Sequence, residues 1–144
     1  MVRAYQGGTG GCSEPLVPLP GVEVTRETVQ AALLRTREAA QIARTGNVDD
    51  AELAFAGYCT VCTLAGVRRE LRDEPLFGKV HDLTHNLDGI VRQKDKALAK
   101  GLCQDVLAIE VEFWKDRRPD EVARLLDSIA QRLEQALALL PVER

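Results

Sequence analysis

The stretch Leu76-Phe77-Gly78-Lys79-Val80-His81-Asp82-Leu83-Thr84-His85-Asn86-Leu87-Asp88-Gly89-Ile90 decides the fold class. Its large apolar residues Leu76, Val80, Leu83, Leu87 and Ile90 recur at alternating steps of four and three. A helix advances ~100° per residue, so this spacing gathers them on one face, whereas a half-buried strand would alternate every second residue. A second series follows in Leu98, Leu102, Val106, Ile109 and Phe113. The polar residues Arg92 to Lys96 lie between the two series and include neither Gly nor Pro. That favours one long helix over residues 76–115, at most slightly kinked, with a turn between two helices as the alternative.

Similar reasoning extends outward in both directions. Val122, Leu125, Leu126, Ile129, Leu133, Leu137 and Leu140 mark a buried stripe on a helix from Pro119 to just before Pro141. Upstream, Val29, Leu33, Thr36, Ala40 and Ala43 predict a helix over residues 25–45. Thr25 serves as its N-cap, Val24 and Val29 as a hydrophobic staple, and Gly46-Asn47 as its stop. A further helix is expected over residues 49–72, with Asp49 and Glu52 as a capping box. No stretch alternates like a strand. The chain therefore reads as all-α, an antiparallel helical bundle of four to five helices over residues 25–144. Residues 1–24 hold clusters of Gly and Pro that deny regular structure, and read as a flexible N-terminal arm. Leu16, Val17 and Leu19 give that arm the alternative of packing along the body.

The 144 residues are 45% hydrophobic and 28% charged, the balance of a globular protein with one core. A net charge of −3 argues against a dedicated nucleic-acid binder. No apolar run is long enough for a membrane span and no leader is visible, so a cytoplasmic protein is expected. Cys12, Cys59, Cys62 and Cys103 read as reduced, buried thiols, since a core of this size needs no disulfide. Cys59 and Cys62 form a CxxC inside a predicted helix, away from the strand–helix junction of redox motifs.

The middle of the 49–72 helix is apolar or small on nearly every face. Gly57 and Gly66 would allow close approach of a neighbour, with Tyr58 as an anchor. Trp114 either caps the core or anchors a partner. These residues predict an interface and favour a homodimer or another protein partner. No phosphate loop, nucleophile elbow or kinase-like motif occurs, so no cofactor is expected, and an interaction or adaptor protein fits better than an enzyme.

The two histidines of the chain, His81 and His85, lie one turn apart in the opening stretch. On the helical wheel His81, His85, Asp88 and Arg92 form a polar ladder opposite the apolar face, directed to solvent or to another polar surface. An ordinary solvated face is the plainest reading. A metal site is another, because His side chains at i and i+4 can share one ion, with Asp88 adding an oxygen. Glu110 and Glu112, two apart, cannot share a face.

His85-Asn86-Leu87-Asp88-Gly89 also resembles the phosphoacceptor motif of histidine-containing phosphotransfer domains. The matching positions are His85, Leu87 and Gly89, with Leu102-Cys103 on the next helix and a similar closing helix from Val122 to Leu140. The likeness spans roughly residues 76–140. Asp88 stands where that family usually carries Lys. The resemblance implies a helical bundle and His85 as the residue that accepts phosphate.

Overall fold

The computed structural model describes residues 11–56, 79–112 and 114–142. Among them lie α1 (Arg26–Arg44), α2 (Val48–Phe55), α3 (Val80–Arg92), α4 (Lys96–Glu110) and α5 (Pro119–Leu139), with no strand. The expected all-α bundle is the fold.

Local chemistry sets the ends of these helices. Thr25 Oγ1 accepts from the Thr28 amide at 3.0 Å, and Thr28 Oγ1 accepts from the Thr25 amide at 2.8 Å. Two amides at the start of α1 that have no helical partner are thereby satisfied. Thr25→Ala should cost about 1 kcal/mol of stability, read from the denaturant midpoint. Gly46, at φ +95°, takes the left-handed conformation that turns the chain after α1. α2 begins at Val48 behind Asn47 as its N-cap, two residues earlier than the expected cap at Asp49.

The favoured single helix over 76–115 is not what forms. The chain turns at Gln93–Asp95, and the break needs no Gly or Pro. The Asp95 carboxylate accepts from the Leu98 amide at 3.0 Å, which starts a new helix. Ile90, counted on the apolar face, is 38% exposed, and Val91 is buried in its stead.

α3 and α4 thus form a hairpin, and the start of α3 lies beside the end of α4. α1 and α5 also run antiparallel. Arg26 donates to the Leu137 carbonyl at 2.9 Å, Arg37 meets Glu134 at 3.0 Å, and Arg44 pairs with Asp127. Leu83, Leu87, Leu102, Leu126, Ile129 and Leu133 fill the core between the helices. Trp114 is 1% exposed, donates from Nε1 to the Ile109 carbonyl at 3.1 Å and packs on Phe55. It is a core residue, so the partner-anchor alternative for it is corrected. Gly57, Tyr58, Cys59, Cys62 and Gly66 lie outside the described residues.

The thiol expectation is corrected for Cys12 and Cys103, which form a disulfide across 91 residues of sequence. Of the two courses open to the arm, residues 11–24 take the packed one in part: of the three apolar residues expected to pack, Leu16 is buried, Leu19 is half-buried and Val17 is exposed. Cys12 and Leu16 are buried, and Val22 and Val24 lie against the core. No described helix is long and apolar enough to cross a membrane.

Candidate metal site

The polar ladder of α3 is largely covered, with His85 and Arg92 half-buried. His81 and Asp88 are buried at 7% and 0% exposure, because the extended segment after Cys12 and the end of α4 cover this face. A segment rich in Gly and Pro cannot pair its backbone within a helix or sheet, so its polar groups need other partners. The α3 side chains supply them. Asn86 Nδ2 donates to the Leu19 and Val22 carbonyls, each at 2.8 Å, and Asn86 Oδ1 accepts from the Leu19 amide at 2.6 Å. Arg92 Nη1 donates to the Cys12 carbonyl at 3.0 Å.

The structure splits the four ladder residues into two pairs. Asp88 and Arg92 form a two-pronged ion pair, Nε to Oδ1 at 2.9 Å and Nη2 to Oδ2 at 3.2 Å. Asp88 is therefore not brought to the histidines. Asp88→Asn removes the charge that balances Arg92 in a buried setting. It should cost about 3 kcal/mol in denaturant unfolding and leave metal affinity unchanged.

The partner of the histidines is Glu110, the last residue of α4. His81 Nε2 is hydrogen-bonded to Glu110 Oε2, and His85 Nε2 lies 2.7 Å from the same oxygen. The ligand atoms of His81, His85 and Glu110 all lie within 4.8 Å of one another. The opposite ring nitrogens also face oxygens. His85 Nδ1 donates to the Val17 carbonyl at 3.2 Å, and His81 Nδ1 lies 3.3 Å from Asp82 Oδ1. The two rings stand 4.6 Å apart, and Phe55 presents its ring to His81 edge-on at 6.2 Å. The cluster is an N2O donor set with an apolar wall and with acceptors behind both imidazoles.

Charge follows this geometry. Burial acts to raise the Glu110 carboxyl, but the hydrogen bonds from His81 and His85 and their charge bring it down to about 2. Burial acts to lower His85, and it is outweighed by the hydrogen bond and charge of Glu110 together with the Val17 carbonyl, so His85 is raised. The two effects have opposite signs in stability. The Glu110 contribution is present above its ordinary value of 4.5 and is lost as pH falls through about 2. The His85 contribution is complete below its ordinary value of 6.5 and is lost as pH rises through the raised value. Metal-free protein should therefore gain most from the pair between pH 4.5 and 6.5. A thermal midpoint scan against pH, compared with His85→Gln, checks this, and the variant should flatten the alkaline limb.

In the sequence Glu110 stands near only one other carboxylate, Glu112, and nothing local ties it to the histidines. The available signal was the turn. Once the hairpin is placed at Gln93–Asp95, the end of α4 falls opposite the start of α3. The Val17 carbonyl left no side-chain signal at all.

The class defined by fold and site is an all-α bundle with a half-buried two-histidine, one-carboxylate cluster at one end of a helical hairpin. Comparisons with protein-family models, curated proteins and solved structures found no match.

Proposed function

We propose that this chain is a metal-binding helical bundle that holds one divalent transition-metal ion, zinc in the first instance, between His81, His85 and Glu110. The observation that carries the reading is the convergence of these three ligand atoms within 4.8 Å on two rigid helices. Two imidazoles and a carboxylate suit zinc and its first-row neighbours, not magnesium or calcium, which take all-oxygen shells. The oxygens behind both rings strengthen the reading. Metal-ligating histidines characteristically donate their other ring N–H to a carbonyl or carboxylate, which fixes the tautomer and aims Nε2 at the ion. The described residues supply three donors. A tetrahedral zinc then keeps one position for water or a substrate oxygen, the donor count of catalytic sites.

Phosphate transfer through His85 is less well supported, since Nδ1 faces the Val17 carbonyl and Nε2 faces Glu110. An adaptor role through a Gly57, Tyr58 and Gly66 interface draws on residues outside the described ones. The Cys12–Cys103 disulfide supports residence in an oxidising compartment, where such bonds persist, over the expected cytoplasm.

The test is a zinc titration of dialysed, metal-free protein against a chromogenic chelator. The reading expects one zinc per chain, held against the chelator. Uptake well below one equivalent would overturn it.

A further inference from the structure

Residues 11–22 run past His85 as a strap attached at three points. At one end Cys12 is bonded to Cys103 of α4, and its carbonyl accepts from Arg92 Nη1 at 3.0 Å. In the middle the Val17 carbonyl accepts from His85. At the far end Asn86 holds the backbone of Leu19 and Val22. Apolar anchoring between these points is thin. Leu16 is buried, but Val17 is 72% exposed, and an open cleft of about 660 Å³ lies between Leu16–Pro18 and the Gly89–Ile90 side of α3. The covalent fastening is thus the one that water cannot replace, while the hydrogen bonds can be exchanged for hydration at modest cost.

We infer that the Cys12–Cys103 disulfide is a redox latch on this strap, and that its reduction opens the His81–His85–Glu110 site and speeds metal exchange there. The metal half of the inference rests on the proposed function, and the release of the strap does not. The reductant is a dithiol. One of its thiolates attacks Cys12 Sγ, the sulfur–sulfur bond breaks, and Cys103 leaves as a thiolate that takes a proton. The second thiol then attacks the mixed disulfide, frees the Cys12 thiol and closes the reductant's own disulfide. Two electrons pass to the protein and the dithiol is oxidised. The freed strap takes the Val17 carbonyl from His85, so the ring loses the acceptor that fixes its tautomer. Loss of such a partner weakens metal binding by roughly 10- to 100-fold.

The experiment uses the full chain, oxidised and loaded with zinc. Zinc transfer to a chelator is timed before and after treatment with a water-soluble phosphine, which delivers the same two electrons and ends as its oxide. Deuterium uptake across residues 11–22 and 81–85 is measured in parallel, with and without zinc. Reduction should raise zinc release about tenfold and raise deuterium uptake in both segments. Cys12→Ser should release zinc fast from the start and respond no further to phosphine, which separates the latch from any action of the reagent on the metal. Unchanged release and unchanged uptake on reduction would overturn the latch. If the chain takes up no zinc in either state, the metal reading fails. Deuterium uptake then decides the latch alone, a rise upholding it and no change refuting it.

Discussion

Glu110→Gln should lower zinc affinity by roughly a hundredfold or more while leaving the helical content unchanged. The variant keeps the size of the side chain and one oxygen, but it removes the negative charge that two histidine nitrogens now share. Zinc bound by two neutral imidazoles alone lacks an anionic donor, and helix packing cannot compensate. Glu110 sits at the last position of α4, and the exchange leaves the buried apolar residues of that helix in place. His85→Gln should lose as much, because Nε2 is the donor and the amide cannot reproduce it. Asp88→Asn is the matched control. It lies one turn from His85 and its carboxylate serves Arg92, so affinity should hold while stability falls. Equal loss of affinity in all three variants would show that unfolding, not ligand removal, was being measured.

Breaking the disulfide should have the largest effect on stability. Cys12 and Cys103 close a loop across 91 residues of sequence, which restricts the unfolded chain far more than the folded one. By the loop-entropy argument its loss costs about 4.6 kcal/mol. Cys12→Ser is the better variant, since Cys103 is fully buried in α4 and its replacement would also disturb the core. The denaturant midpoint of Cys12→Ser should match that of the reduced wild-type chain. A midpoint that does not move on reduction would mean that the two sulfurs are not joined. The folded strap is a small part of this cost. Most of it lies in the freedom that the unfolded chain regains.

The helices were legible in the sequence because apolar spacing acts locally. Val29 to Ala43 and Val122 to Leu140 each define a face without reference to anything else in the chain. The break at Asp95 was less legible, because a side-chain cap can end a helix where no Gly or Pro stands. The wheel groups His81, His85, Asp88 and Arg92 on the face opposite the apolar one. It could not show that this face is covered, since the cover is an irregular segment whose course depends on Asn86, Arg92 and a disulfide. Glu110 and Cys103 reach their partners only through tertiary geometry, the first across a hairpin and the second to a residue near the other end of the chain. Pairings of that kind leave no periodic trace, and so the site was half visible, with its histidines evident and its carboxylate hidden.

The most direct test of the account is the X-ray absorption spectrum of the zinc-loaded chain at the metal edge. The account predicts a shell of nitrogen and oxygen at about 2.0 Å with the outer scattering of two imidazoles, and no sulfur at about 2.3 Å. A shell dominated by sulfur, a shell with no imidazole scattering, or a chain that retains no zinc to measure would contradict it.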